Sequence, residues 1–146
     1  MSEVNKYSRG KIYTVRCRTD DSLVFVGSTS QKYLCKRFAC HKNNCKTGKS
    51  GSLYKHITDN DWSDWYIELH ESYPCNSRDE LCRREGEVIR EIGTINKNIA
   101  GRTTKEYNKN WRENNPEYMR KWYHDNHDKH LENCKNYYAR KRSATP

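Results

Sequence analysis

No stretch of this 146-residue chain approaches the roughly 20 consecutive apolar residues that a membrane-spanning helix needs. Behind the opening Met1-Ser2-Glu3-Val4-Asn5-Lys6-Tyr7 there is no apolar run either, so a secretory signal is not expected. The expectation is an intracellular chain with no membrane partner. Apolar residues are few: the hydrophobic set is 33% and the mean hydropathy −1.28, so the whole length cannot be buried core. Acidic charge is also short, with 19 Asp+Glu against 28 Lys+Arg and a formal net charge of +9. That excess says nothing about fold, but it favours an anionic partner, most simply nucleic acid. Metal-knuckle spacing is missing. The seven cysteines (Cys17, Cys35, Cys40, Cys45, Cys75, Cys82, Cys134) are odd in number, and Cys35, Cys40 and Cys45 are five apart rather than two or three. They read as free thiols in a reducing compartment, and nothing in the chain implies a small-molecule cofactor.

What is there divides near residue 102. Residues 103–146 hold ten Lys/Arg against six acids and seven aromatics (Tyr107, Trp111, Tyr118, Trp122, Tyr123, Tyr137, Tyr138), with Met119 and Leu131 as the only large aliphatics. A segment so poor in aliphatics cannot build its own core. It echoes itself at an offset of twelve, Lys109–Met119 against Lys121–Leu131, and reads as broken helix with a basic, aromatic surface. Its aromatics either lie against the body or stack on nucleic acid. His124, His127, His130 and Cys134 are spaced for a helix face; among Asp125, Asn126 and Asp128 they read as a solvated polar helix in preference to a zinc site.

The body, residues 1–102, starts with two strands. Residues 11–17 alternate and are β-branched, and residues 23–27 follow a turn cluster, making a hairpin. Ser30 is placed to cap a helix carrying Leu34, Arg37, Phe38 and His41 on one face. Residues 53–57 form a short helical piece, residues 65–69 a third strand, and Trp62 and Trp65 belong to the core. Ser77 and Glu80 form a capping box before a stripe of Leu81, Val88, Ile89 and Ile92 that Gly93 ends.

Two of these stripes carry a charge where packing asks for an apolar side chain: Arg37 on one helix, Glu85 on the other. A charge so placed costs free energy unless it is paired or binds something. From pattern alone two readings stand, an interhelix salt bridge or snorkelling on one side, a catalytic carboxylate on the other.

The order of the segments adds to this. Gly10-Lys11-Ile12-Tyr13 precedes Val24-Phe25-Val26-Gly27-Ser28-Thr29; Arg37 and His41 follow in a helix, Arg84-Glu85 in a second, and Asn98-Ile99-Ala100 after it. Over roughly residues 10–100 this resembles the GIY-YIG nuclease family. The resemblance implies a small α/β domain, a three-stranded mainly antiparallel sheet flanked by helices, here with a helical basic C-terminal extension. It implies an endonuclease that hydrolyses phosphodiester bonds in DNA with one divalent cation, usually magnesium. By the same resemblance Glu85 is the metal ligand, and Tyr13, Arg37, His41 and Asn98 complete the catalytic set, Asn98 as a brace with Asn96 a weaker candidate. Lys11, Phe25, Gly27 and Ser28 lie against substrate. Tyr13 is expected to deprotonate water, its pKa lowered by nearby cations.

Two positions depart from the family pattern: Lys11 stands where the first motif has glycine, with Gly10 adjacent, and the second departure weighs more. Phe25 stands where the second motif usually has tyrosine, keeping the ring and losing the hydroxyl. The alternatives are therefore a catalytically inert nucleic-acid-binding module of the same fold, and an interaction domain in which Arg37 and Glu85 form a plain salt bridge.

Overall fold

The computed structural model describes residues 4–144, so Met1-Ser2-Glu3 of the leader reading lie outside the described residues. The chain falls into two compact units, residues 1–102 and 103–146. In the first, β1 (Lys11–Cys17), β2 (Val24–Thr29), α1 (Leu34–Lys46), β3 (Trp65–Ser72) and α2 (Arg78–Ile92) follow in order. The sheet runs β2-β1-β3 with both pairings antiparallel.

β1 is the middle strand, and Ile12, Tyr13, Thr14 and Val15 are all buried, so its alternation sorts side chains between two cores instead of between core and water. Tyr13, Val15 and Cys17 join Leu53, Ile57, Trp62, Trp65 and Ile95, with Leu34 and Phe38 of α1 against them. Ile12 joins Val24, Val26, Leu81, Val88 and Ile89 on the α2 side. The pairing with β3 slips by one residue between Ile12 and Tyr13, a bulge beside the tyrosine.

Several boundaries differ from the sequence reading. β2 extends through Thr29, and β3 runs to Ser72 because it pairs with β1 as far as Lys11. α1 starts after Tyr33 with no side-chain cap. Ser30 does not cap it, since a tight turn in which Thr29 Oγ1 accepts from the Gln31 amide comes first. Ser77 does cap α2, accepting from the Glu80 amide, but the Glu80 carboxylate accepts from the Asn76 amide and not from Ser77. All seven cysteines are free.

The second unit is α3 (Thr104–Asn114), α4 (Pro116–Asp125) and α5 (His127–Ser143). A reciprocal capping box, Thr103 with Glu106, opens α3. Its repeat is eleven residues, not twelve: Glu106-Tyr107, Lys109, Trp111 and Asn115 recur as Glu117-Tyr118, Arg120, Trp122 and Asn126. The Asn115 amide donates to the Trp111 carbonyl at 2.7 Å and that of Asn126 to the Trp122 carbonyl at 2.8 Å. Each copy is thus one helix with its own stop. No residue of α3, α4 or α5 is buried. Among the described residues no cluster of three or more His, Cys, Asp or Glu is placed to hold a metal ion. No helix there is long and apolar enough to cross a membrane.

Candidate active site

Tyr13 sits opposite Gly27 across the β1–β2 pair, on the same face of the sheet. A Cβ at Gly27 would lie 2.5 Å from the Tyr13 hydroxyl, so only glycine leaves room for that ring. The hydroxyl is the hub of the site. It accepts from Arg37 Nε at 2.9 Å and lies 2.7 Å from His41 Nε2. Arg37 and His41 reach it together because they stand one turn apart on α1.

Glu85 arrives from α2, on the other side of a cleft of about 470 Å³ whose lining includes Tyr13, Phe25, Gly27, Ser28, Arg37 and Glu85. An adjoining cavity of about 340 Å³ shares Phe25, Arg37 and Glu85 and adds His41, Tyr54, Asn96 and Asn98. So Tyr13, Arg37, His41, Glu85 and Asn98, up to 85 positions apart in the chain, border one pair of cavities. Lys11 lies outside both; its ammonium donates to the Arg9 and Gln31 carbonyls.

Arg37 and Glu85 do not pair. Among the described hydrogen bonds and ion pairs the guanidinium goes to Tyr13 and the carboxylate accepts from the Ser28 hydroxyl. The salt-bridge reading of the two charges therefore fails. Next to Glu85, Arg84 is consumed by Glu71 and Glu87, each at 2.8 Å. Burial pushes the Glu85 carboxyl above its usual range, against the pull of Ser28 and Arg37. A half-buried carboxylate with no cation in direct contact gains from one. The donor set, one carboxylate with the Ser28 hydroxyl bonded to it, fits a hard ion such as magnesium that keeps most of its waters.

The protonation of the hub differs from the sequence expectation. Tyr13 is fully buried, and burial pushes its phenol up to about 12, outweighing the downward pull of Arg37. His41 is 4% exposed, and burial, helped by Arg37, lowers it to about 4. Both rings are therefore neutral at neutral pH. Phe25 packs its edge on the His41 ring at 5.7 Å between centroids.

Both asparagines border the adjoining cavity, but only Asn96 is bonded to a strand. Asn96 accepts from the Val26 amide and donates to the Val26 carbonyl, each at 2.8 Å, holding the outer edge of β2. Asn98 is exposed and accepts from Arg102 at 3.3 Å. Sequence reading missed Lys6, Gln31 and Arg78 on the cleft and Tyr54 behind it. Two basic residues and a glutamine scattered over three segments carry no shared spacing that could have flagged them.

No family model and no curated protein matches the chain. Two solved structures do, both of the catalytic domain of I-TevI, an intron endonuclease of the homing type. One, a glutamate-to-alanine mutant, is 23% identical with a TM-score of 0.51, over 64% of this chain and 96% of that one. The other is 23% identical with a TM-score of 0.50, over 62% and 98%. The chain has the fold of a GIY-YIG catalytic domain. Within the GIY-YIG fold the middle strand supplies Tyr13, α1 supplies Arg37 and His41, and α2 supplies Glu85.

Proposed function

We propose that the protein is a divalent-metal-dependent DNA endonuclease. The observation that carries this is the cleft that Glu85, in no direct ion pair, and Arg37, bonded to Tyr13, both line without contacting each other. The similar structures are catalytic domains of a homing endonuclease, which supports nuclease chemistry on DNA.

Glu85 would hold the cation, oriented by the Ser28 hydroxyl. Magnesium bound there would offset charge on the phosphate and on the leaving oxygen. Arg37 uses its Nε on Tyr13, and no described hydrogen bond occupies its remaining N–H groups, which suit a phosphate oxygen. Tyr13 is sealed beneath Arg37 in this geometry. A phosphate that draws the guanidinium forward uncovers the hydroxyl, and Tyr13 can take the proton of the attacking water once its own has passed to His41. Phe25, lacking a hydroxyl, contributes ring contact alone. In the second unit, exposed Tyr and Trp rings among Lys and Arg suit the DNA backbone and bases.

The test is nicking of supercoiled plasmid with magnesium, with and without chelator. Wild type should cut only with metal. Glu85→Gln, shown folded by circular dichroism, should lose at least roughly 100-fold in rate, of the order expected for a principal electrostatic group. Equal rates for the two proteins refute the metal assignment. Binding without any cutting under all metals would make the chain the inert module.

A further inference from the structure

His41 is bonded at both ring nitrogens by phenols. Nε2 lies 2.7 Å from the Tyr13 hydroxyl, and Nδ1 lies 3.1 Å from the hydroxyl of Tyr54. A neutral imidazole has one N–H and one lone pair, so the chain of bonds has a direction. The surroundings of the two phenols decide it. Tyr13 is fully buried, and of its two partners Arg37 Nε can only donate. The Tyr13 proton is left with one acceptor, His41 Nε2. With Tyr54 present to accept from Nδ1–H, both protons are satisfied when Nε2 is the lone-pair nitrogen; without that acceptor each tautomer leaves one proton unpaired, so Tyr54 tips the choice. The Tyr54 oxygen also takes the Asn44 amide at 3.4 Å. Tyr54 is half-buried and lines, with His41, the cavity that adjoins the cleft, so its own proton can face water.

We propose that Tyr54 is a positioning residue that holds His41 in its Nδ1–H form and thereby aims the Tyr13 proton at Nε2. The same alignment gives the sealed Tyr13 a proton exit. The phenol proton passes to Nε2, Nδ1 passes its proton to the Tyr54 oxygen, and Tyr54 releases its own to solvent. One proton leaves, Tyr13 becomes phenolate beside Arg37, and His41 stays neutral with its tautomer reversed. The ring of Tyr54 is seated by Gly51: a Cβ there would lie 2.9 Å from its Cδ2. The tautomer stands on its own; its consequence for cleavage rests on the nuclease reading.

The experiment is a long-range ¹H–¹⁵N imidazole correlation on the ¹⁵N-histidine-labelled full chain at neutral pH. Wild-type His41 should show a protonated Nδ1 and a bare Nε2. Tyr54→Phe, which keeps the ring, should move the proton wholly or partly to Nε2. Gly51→Ala, which displaces the ring, should shift it the same way. In plasmid cleavage Tyr54→Phe should lower kcat roughly tenfold with KM unchanged, as loss of a supporting hydrogen bond does. A wild-type Nε2–H form, or an unaltered pattern in Tyr54→Phe, overturns the proposal. A shifted tautomer with unchanged kcat overturns the proton exit alone. A wild type that fails to cut overturns the nuclease reading and leaves the spectrum to decide the tautomer.

Discussion

At the scale of single residues, His41 sets the acid limit of the site. Its folded pKa of about 4 lies below the ordinary 6.5. Between those values the unfolded chain binds a proton that the folded chain refuses, so this residue removes stability as pH falls through the window, by on the order of 3 kcal/mol in all. Glu85, raised by burial, acts with the opposite sign, so the comparison must isolate His41. The urea midpoint of wild type minus that of His41→Gln should shrink from pH 7 to pH 4; a constant difference would show that His41 titrates normally. Arg37 and Glu85 were legible in the chain because charges on apolar stripes leave local marks, and Tyr13 because it closes the first motif of the resemblance. The elevated Tyr13 pKa was not, since it depends on how deeply β1 is enclosed. Tyr54 leaves no mark either, because its significance lies in a bond to a ring thirteen residues back in the chain that already had another assignment.

At the scale of elements, β2 is an edge strand, and its outer side needs partners for its free amides and carbonyls. Residues 94–96 supply them. Thr94 Oγ1 accepts from the Val24 amide at 2.9 Å, the Ile95 amide donates to the Val24 carbonyl, and Asn96 satisfies Val26 twice. This short segment substitutes for a fourth strand and fixes the line on which Phe25, Gly27 and Ser28 stand. Asn96→Ala should cost about 1–3 kcal/mol of stability, measured by urea unfolding, and should slow cleavage by loosening Gly27 and Ser28 at the cleft. Asn98→Ala should change stability by less than about 0.5 kcal/mol. The strands and both body helices were readable from alternation and stripe; the choice between Asn96 and Asn98 was not, because irregular backbone has no period from which to infer direction. The missed eleven-residue period is a different case. The Glu-Tyr and Trp spacing was in the sequence, but aligning Lys109 with Lys121, which stand at different distances from Trp111 and Trp122, put the copies out of phase.

At the scale of the molecule, each of the two units has its own logic. The body owns both hydrophobic cores, and the second unit has none. Removing residues 103–146 should leave metal-dependent cutting chemistry intact while weakening DNA binding. The slope of log affinity against log salt should fall by roughly 0.9 for every phosphate that the segment neutralised, read by fluorescence anisotropy across a salt series. Equal affinity and slope with and without the segment would count against a DNA role for it. Since each eleven-residue copy closes its own last turn through an asparagine, duplication or loss of one copy changes reach by a whole helix, bringing or removing at least one tyrosine, one tryptophan and two basic residues together. Length and stickiness in such an arm change as a unit, so it can be lengthened or shortened without altering the residues of the first unit.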